Sequence, residues 1–304
     1  MDPALRRLLM RQHYAVVGNH SAVKLCHWTK ESLLHGRQCY KQEFYGIRSH
    51  RCLQMSPAVN ACSHMCLFCW RIQTFTEQGI EQPDDPELIL EEAVRAQQKL
   101  LTGYKGDART DPVKYVEAQQ PSMVACSLAG EPTLYPRLGE FFAACHRRDM
   151  TTFLVTNGTT PEVIRRLDPL PRQLYLSVVA PTEEVYQRVC APLIPDGWQK
   201  ITETLSVLRS LSTRTVIRHT LVKGWNMDPN HVPAYAALIA KAEPDFIEAK
   251  GFVFVGSSRG RMHFDAMPSH EDVRAFAEHL AAATGYTVTK EKPDSLVVLL
   301  EKRK

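Results

Sequence analysis

Six of the nine cysteines fall between positions 26 and 69: Cys26, Cys39, Cys52, Cys62, Cys66 and Cys69. The last three stand in the run Cys62-Ser-His-Met-Cys66-Leu-Phe-Cys69, a C-x3-C-x2-C loop. A loop this short can turn all three sulfurs inward onto one metal centre. Structural zinc usually takes four ligands, commonly as two separated C-x2-C pairs, and no second pair lies nearby. Three thiolates suit an iron–sulfur cluster with one iron left for another ligand. His64, inside the same tight turn, is expected to point outward. Cys26, Cys39 and Cys52 follow a C-x12-C-x12-C spacing in a polar stretch with little apolar periodicity. On residues alone, core thiols and a second open cluster are both viable readings of that triplet. Cys126, Cys145 and Cys190 are isolated and read as small buried hydrophobes.

The elements that must position these thiols begin with composition. The chain has 304 residues, 44% hydrophobic and 23% charged, enough to fill a full core. That excludes disordered and collagenous classes. No apolar run approaches the roughly 18 residues of a membrane span, and Met1–Met10 lacks the apolar stretch of a signal peptide. The net charge of +4 permits a polyanionic partner without demanding one. An odd cysteine count without an export signal argues for a reducing, cytoplasmic compartment.

From about residue 84 apolar runs alternate with amphipathic helices, and the C-x3-C-x2-C loop is expected just before this parallel sheet. Strands are expected at Met123–Ser127, Thr152–Thr156, Gln173–Val178, Thr215–Thr220, Asp245–Ala249 and Val297–Leu300. Helices are expected near 136–148, 161–167, 182–190, 198–210, 231–242 and 270–284, plus one opened by Asp85-Pro86. Such alternation predicts right-handed βαβ units and a parallel sheet, open or closed as a barrel. Thr102–Gln120 reads as an exposed loop.

The cysteine loop with Phe68 before its last cysteine, followed by a βα-rich chain, resembles the radical S-adenosylmethionine (SAM) superfamily. Ala129-Gly130-Glu131-Pro132 and Thr156-Asn157-Gly158 match further motifs in order. By that resemblance Gly130, Glu131, Asn157, Ser177 and Arg218 contact SAM, and Cys62, Cys66 and Cys69 hold the cluster that cleaves it. The segments Cys39-Tyr-Lys41-Gln-Glu-Phe-Tyr, Arg51-Cys52-Leu-Gln-Met-Ser-Pro57, Cys66-Leu-Phe-Cys69-Trp70-Arg71 and Leu128–Pro136 narrow it. Together they resemble the tRNA 4-demethylwyosine synthases of wybutosine biosynthesis, from about Cys26 to the 250s.

This second resemblance implies an α/β fold with an incomplete TIM-type barrel of parallel strands, the radical SAM fold. Residues 1–70 would carry both cysteine triplets packed on the barrel, with 71–304 forming the partial barrel and C-terminal elements, one structural domain overall. It implies two 4Fe–4S clusters, the second held by Cys26, Cys39 and Cys52, and a carbon–carbon lyase chemistry. The substrate would be 1-methylguanosine beside the anticodon of tRNA(Phe), with pyruvate as two-carbon donor. Lys41, by sequence alone an ordinary surface lysine, would form a Schiff base with pyruvate. Relatives with a flavodoxin-like domain carry it N-terminally; no room precedes Cys26, so an external electron donor is expected, with no membrane and a monomeric enzyme. The competing readings are another two-cluster radical SAM enzyme and a non-catalytic metal-binding RNA module. Arg6, Arg7, Arg11, Arg71, Arg259 and Arg261 are candidate phosphate contacts.

Overall fold

The computed structural model describes residues 1–303, which fall into two compact units. The first comprises Met1–Cys62, Glu77–Val155 and Leu167–Arg172; the second comprises Ser63–Thr76, Thr156–Arg166 and Gln173 onward. In the first unit the order is α1 (Pro3–Arg11), β1 (Tyr14–Val17), β2 (Ser21–Lys24), α2 (His27–His35), α3 (Tyr40–Tyr45) and β3 (Cys52–Ser56). It continues through α4 (Pro86–Leu101), α5 (Pro112–Ala118), β4 (Met123–Cys126), α6 (Leu138–Arg147) and β5 (Thr151–Thr156). β1, β2 and β3 pair antiparallel, whereas β3, β4 and β5 run parallel. All four residues of β4 are buried, as a parallel strand covered on both faces requires.

The second unit holds α7 (Pro161–Arg166), β6 (Gln173–Ser177), α8 (Glu183–Cys190), α9 (Gly197–Leu208), β7 (Arg214–Leu221) and α10 (Val232–Ala242). β8 (Phe246–Gly251), α11 (His270–Ala283), β9 (Tyr286–Lys292) and β10 (Val297–Lys302) complete it. β6, β7 and β8 are parallel; β10 then pairs antiparallel with β8, and β9 with β10. The six expected strands and the expected helices are present, with boundaries shifted by a few residues at most. Among the described residues no helix is long and apolar enough to cross a membrane.

Two expectations are corrected. The Thr102–Gln120 segment is not wholly loop: it contains α5, whose N-cap Asp111 accepts hydrogen bonds from the N–H groups of Val113 and Lys114. Asp111-Pro112 repeats the start signal of Asp85-Pro86, but Val113 and Val116 are exposed and leave no inward stripe to read. The parallel strands also begin earlier than residue 84. β3 pairs with β4 in parallel from Cys52↔Met123 to Met55↔Cys126, so the C-x3-C-x2-C loop follows the first parallel strand.

Candidate functional site

Cys26, Cys39 and Cys52 each sit at an element boundary. Cys26 is the N-cap residue of α2, Cys39 that of α3, and Cys52 opens β3. The cap positions explain why a polar stretch carries thiols: the backbone turns there, and N–H groups at a helix start favour negative charge. The N–H groups of Trp28 and Thr29 favour the charged form of the Cys26 sulfur. Burial raises the Cys26 and Cys52 thiols above their ordinary pKa. Cys26, Cys39 and Lys41 lie within electrostatic range of Cys52, and Lys41 and Lys30 within range of Cys26, so the first unit brings the triplet together beside Lys41. Lys41 belongs to α3, is half-buried, and sets its Nζ 5.5 Å from the centroid of the Phe153 ring. Three desolvated thiols brought together beside Lys41 form a donor set that fits an open iron–sulfur cluster.

The C-x3-C-x2-C loop is fastened from several sides. The Cys62 N–H donates to Glu77 O at 2.8 Å. The Met65 and Leu67 N–H groups donate to carbonyls at the end of α8. Arg71 is buried rather than displayed to a phosphate: its guanidinium donates to Thr76 Oγ1 at 2.7 Å and to His64 O at 3.1 Å, and it hydrogen-bonds Cys69. Burial raises the Cys69 thiol, and the Arg71 charge opposes that rise. Thiols that resist ionisation alone, faced by a fixed cation, are suited to a metal that takes them as thiolates.

The outward His64 of the sequence reading is overturned. It is buried, with Nε2 2.7 Å from the Tyr186 hydroxyl, and burial together with Arg71 lowers its pKa to about 4. An aromatic partner on α8, distant in sequence, draws the ring in. Cys190 is buried as expected, yet its sulfur and that of Cys66 are hydrogen-bonded, and both lie within 4.8 Å of a His64 nitrogen. No local pattern around Cys190 signals that meeting.

The residues expected to contact SAM fall at strand ends, with unequal geometry. Gly130 has φ +70°, and a Cβ there would lie 1.7 Å from Ala58 O, so the turn is pressed against the backbone that leads into the cysteine loop. Glu131 is buried; its carboxylate accepts from Thr133 N–H at 3.1 Å and from Thr133 Oγ1 at 2.7 Å, which braces the turn itself. Asn157 donates from Nδ2 to Ser63 Oγ at 2.8 Å and accepts from Thr159. The register aligns Ser177 with Arg218 and Arg218 with Glu248 across β6, β7 and β8. Arg218 Nε donates to the fully buried Glu248 at 2.8 Å, and its guanidinium stands 4.4 Å from the Tyr175 ring centroid. Sequence reasoning missed Glu248, although a carboxylate inside the apolar run Phe246–Ala249 is itself a signal.

A cysteine loop after the first parallel strand, glycine and asparagine turns after the next two, and six parallel strands, three in each unit, define a radical SAM fold. The radical SAM superfamily pattern matches residues 56–232, and a second pattern, wyosine base formation, matches residues 241–302. The chain is 52% identical to the S-adenosyl-L-methionine-dependent tRNA 4-demethylwyosine synthase of Pyrococcus abyssi, over 99% of this chain and 89% of that protein. A solved structure of TYW1 with a lysine–pyruvate adduct bound is 35% identical with a TM-score of 0.90, covering 99% of this chain and 96% of that one. A crystal structure of archaeal TYW1 is 32% identical with a TM-score of 0.82, again covering 99% and 96%. The chain belongs to the tRNA 4-demethylwyosine synthase family of radical SAM enzymes. The incomplete TIM-type barrel class expected from the sequence is therefore the one it has, and the family implies SAM and a 4Fe–4S cluster.

Proposed function

We propose that this chain converts 1-methylguanosine beside the anticodon of tRNA(Phe) to 4-demethylwyosine, with pyruvate as the two-carbon donor. The observation that carries this reading is the bringing together of Cys26, Cys39 and Cys52 beside Lys41, supported by a relative solved with a lysine–pyruvate adduct. Two 4Fe–4S clusters are assigned, one to Cys62, Cys66 and Cys69, the other to Cys26, Cys39 and Cys52. When bound, the first cluster and SAM supply the radical that takes hydrogen from the methyl group of the guanine, a C–H too weakly acidic for any side-chain base.

The chain's own residues then do the positioning. The Gly130 turn, Asn157 and the strand-end residues Ser177 and Arg218 orient SAM, with Glu131 bracing its turn. Arg71 holds the cysteine loop and places positive charge beside the thiolates. Lys41 condenses through its unprotonated amine with the pyruvate ketone, losing water, and so fixes the carbonyl carbon for attack. Once the methylene radical has added to the imine carbon, the carboxyl group leaves with the odd electron as the carbon dioxide radical anion, breaking a carbon–carbon bond as a lyase does. The exocyclic amine of the guanine then displaces the Lys41 amine to close the ring. Residues 1–70 and 71–304 act as one catalytic domain, a cytoplasmic monomer reduced by an external electron donor.

The test is direct. Reconstituted protein is incubated anaerobically with dithionite, SAM, pyruvate and tRNA(Phe) carrying 1-methylguanosine, and digested nucleosides are analysed by mass. The tricyclic base forms only when pyruvate is present; its formation without pyruvate, or its absence throughout, overturns the reading.

A further inference from the structure

The segment from Phe252 to Met267, between β8 and α11, gathers exposed apolar side chains against the cysteine loop. Val253 and Val255 are each 40% exposed, and Phe264 is 63% exposed. Phe264 meets Phe254 edge to face at 5.8 Å, and the Arg259 guanidinium stands 5.8 Å from the Phe254 centroid. Arg259 Nε also donates to Phe254 O at 3.3 Å, which holds the cation beside the ring.

The other side of this segment is bonded to the loop that carries Cys66 and Cys69. Arg261 donates from Nε to Leu67 O at 3.3 Å and from its terminal nitrogen to Cys69 O. The Ser257 N–H donates to Trp70 O at 3.0 Å, and a Cβ at Gly256 would lie 2.6 Å from that same oxygen. Beneath, Phe252 and Met262 are buried with Leu67 and Phe68 packed on them. Whatever docks on the outer face is held at a set place relative to the cysteine loop.

The exposed Phe264, the half-buried Phe254 against it and the guanidinium beside that ring offer apolar ring surface and one positive charge together. Unpaired nucleotides satisfy both, through base stacking and a phosphate. A purely apolar protein surface leaves the guanidinium unanswered, and duplex nucleic acid offers no free base faces. We propose that Phe264, Phe254 and Arg259 form a platform for the single-stranded nucleotides flanking the modified base, tied to the cysteine loop by Arg261. This inference rests on the substrate reading above.

Binding of a fluorescent anticodon stem-loop RNA by the reconstituted protein tests it. Phe264→Ala should weaken binding about tenfold, the scale of one lost base stack, while Phe264→Trp keeps it. Arg259→Ala should lower the salt slope by about one phosphate contact. Iron content and thermal melting equal to the parent confirm that the variants are folded. If the parent binds the stem-loop and Phe264→Ala binds it equally well, the platform falls and the substrate reading stands. If the parent does not bind the RNA at all, the substrate reading itself fails. If Phe264→Ala retains RNA affinity but loses reduction by a flavodoxin, the face docks a protein and the platform is overturned.

Discussion

Lys41 carries the most exposed chemical assignment, because one amine separates a pyruvate-using enzyme from a merely cationic pocket. Lys41→Ala removes no thiol, so both clusters should assemble and tRNA should still bind, one lysine being only one of many phosphate contacts. The tricyclic base should fall by at least about 10²-fold, the usual loss with a positioned catalytic group. Borohydride with labelled pyruvate should trap an adduct in the parent and none in the variant. Lys41→Arg keeps the charge yet cannot form the imine; near-parent product formation by that variant would reduce Lys41 to an electrostatic aid. A second residue sets a pH dependence of stability. His219 is fully buried, its Nδ1 lies 2.7 Å from Val178 O, and burial lowers its pKa from 6.5 to about 4. Between those values the unfolded chain binds the extra proton, so this contribution is complete above about pH 6.5 and is lost as pH falls toward 4. Folded stability should drop by about 2 kcal/mol between pH 7 and 5 on this account. His219→Asn should flatten that part of the profile, measured by urea unfolding at the two pH values.

At the scale of elements, the strand ends decide where the chemistry sits. The Gly130 turn must accept a left-handed backbone and lie against Ala58 O and Ala61 O. Gly130→Ala places a methyl at 1.7 Å from the first and 2.8 Å from the second. The loss should exceed the roughly 1–2 kcal/mol that a left-handed alanine alone costs, and iron loading should fall because the displaced backbone leads into Cys62. Calorimetry and iron analysis read both effects; unchanged melting and loading would show that the turn yields freely. The capping box of α11 is a milder case: Ser269 accepts from the Asp272 N–H, and the Asp272 carboxylate accepts from the Ser269 N–H. Ser269→Ala should lower stability by about 1 kcal/mol without touching the thiols. Such local signals were readable in advance, as were the buried runs of β4 and β10. The four-residue strands β1 and β2 and the seven-residue α5 were not. They are too short to show a period, and they form because neighbouring elements pair with them or cover them.

Over the whole molecule, the count of clusters is the decisive quantity. The assignment of two open clusters predicts about eight iron atoms per chain after anaerobic reconstitution. A variant with Cys26, Cys39 and Cys52 all replaced by alanine should hold about four and still cleave SAM under dithionite without making the tricyclic base. About eight irons in that variant would remove the triplet from the metal assignment. The cysteine types and spacings, the order of the glycine and asparagine turns, and the alternation of strand and helix were all legible in the chain, because each is a local pattern with a local physical cause. Their match to known radical SAM motifs carried the rest of the family reading. What only tertiary structure decided are the contacts between residues far apart in sequence. His64 turns inward because Tyr186 offers a hydroxyl 2.7 Å away. Arg218 is balanced by a Glu248 that lies thirty residues on and has no solvent. In each case burial removes water from a polar group, and the partner that replaces it is chosen by packing, which no spacing along the chain records.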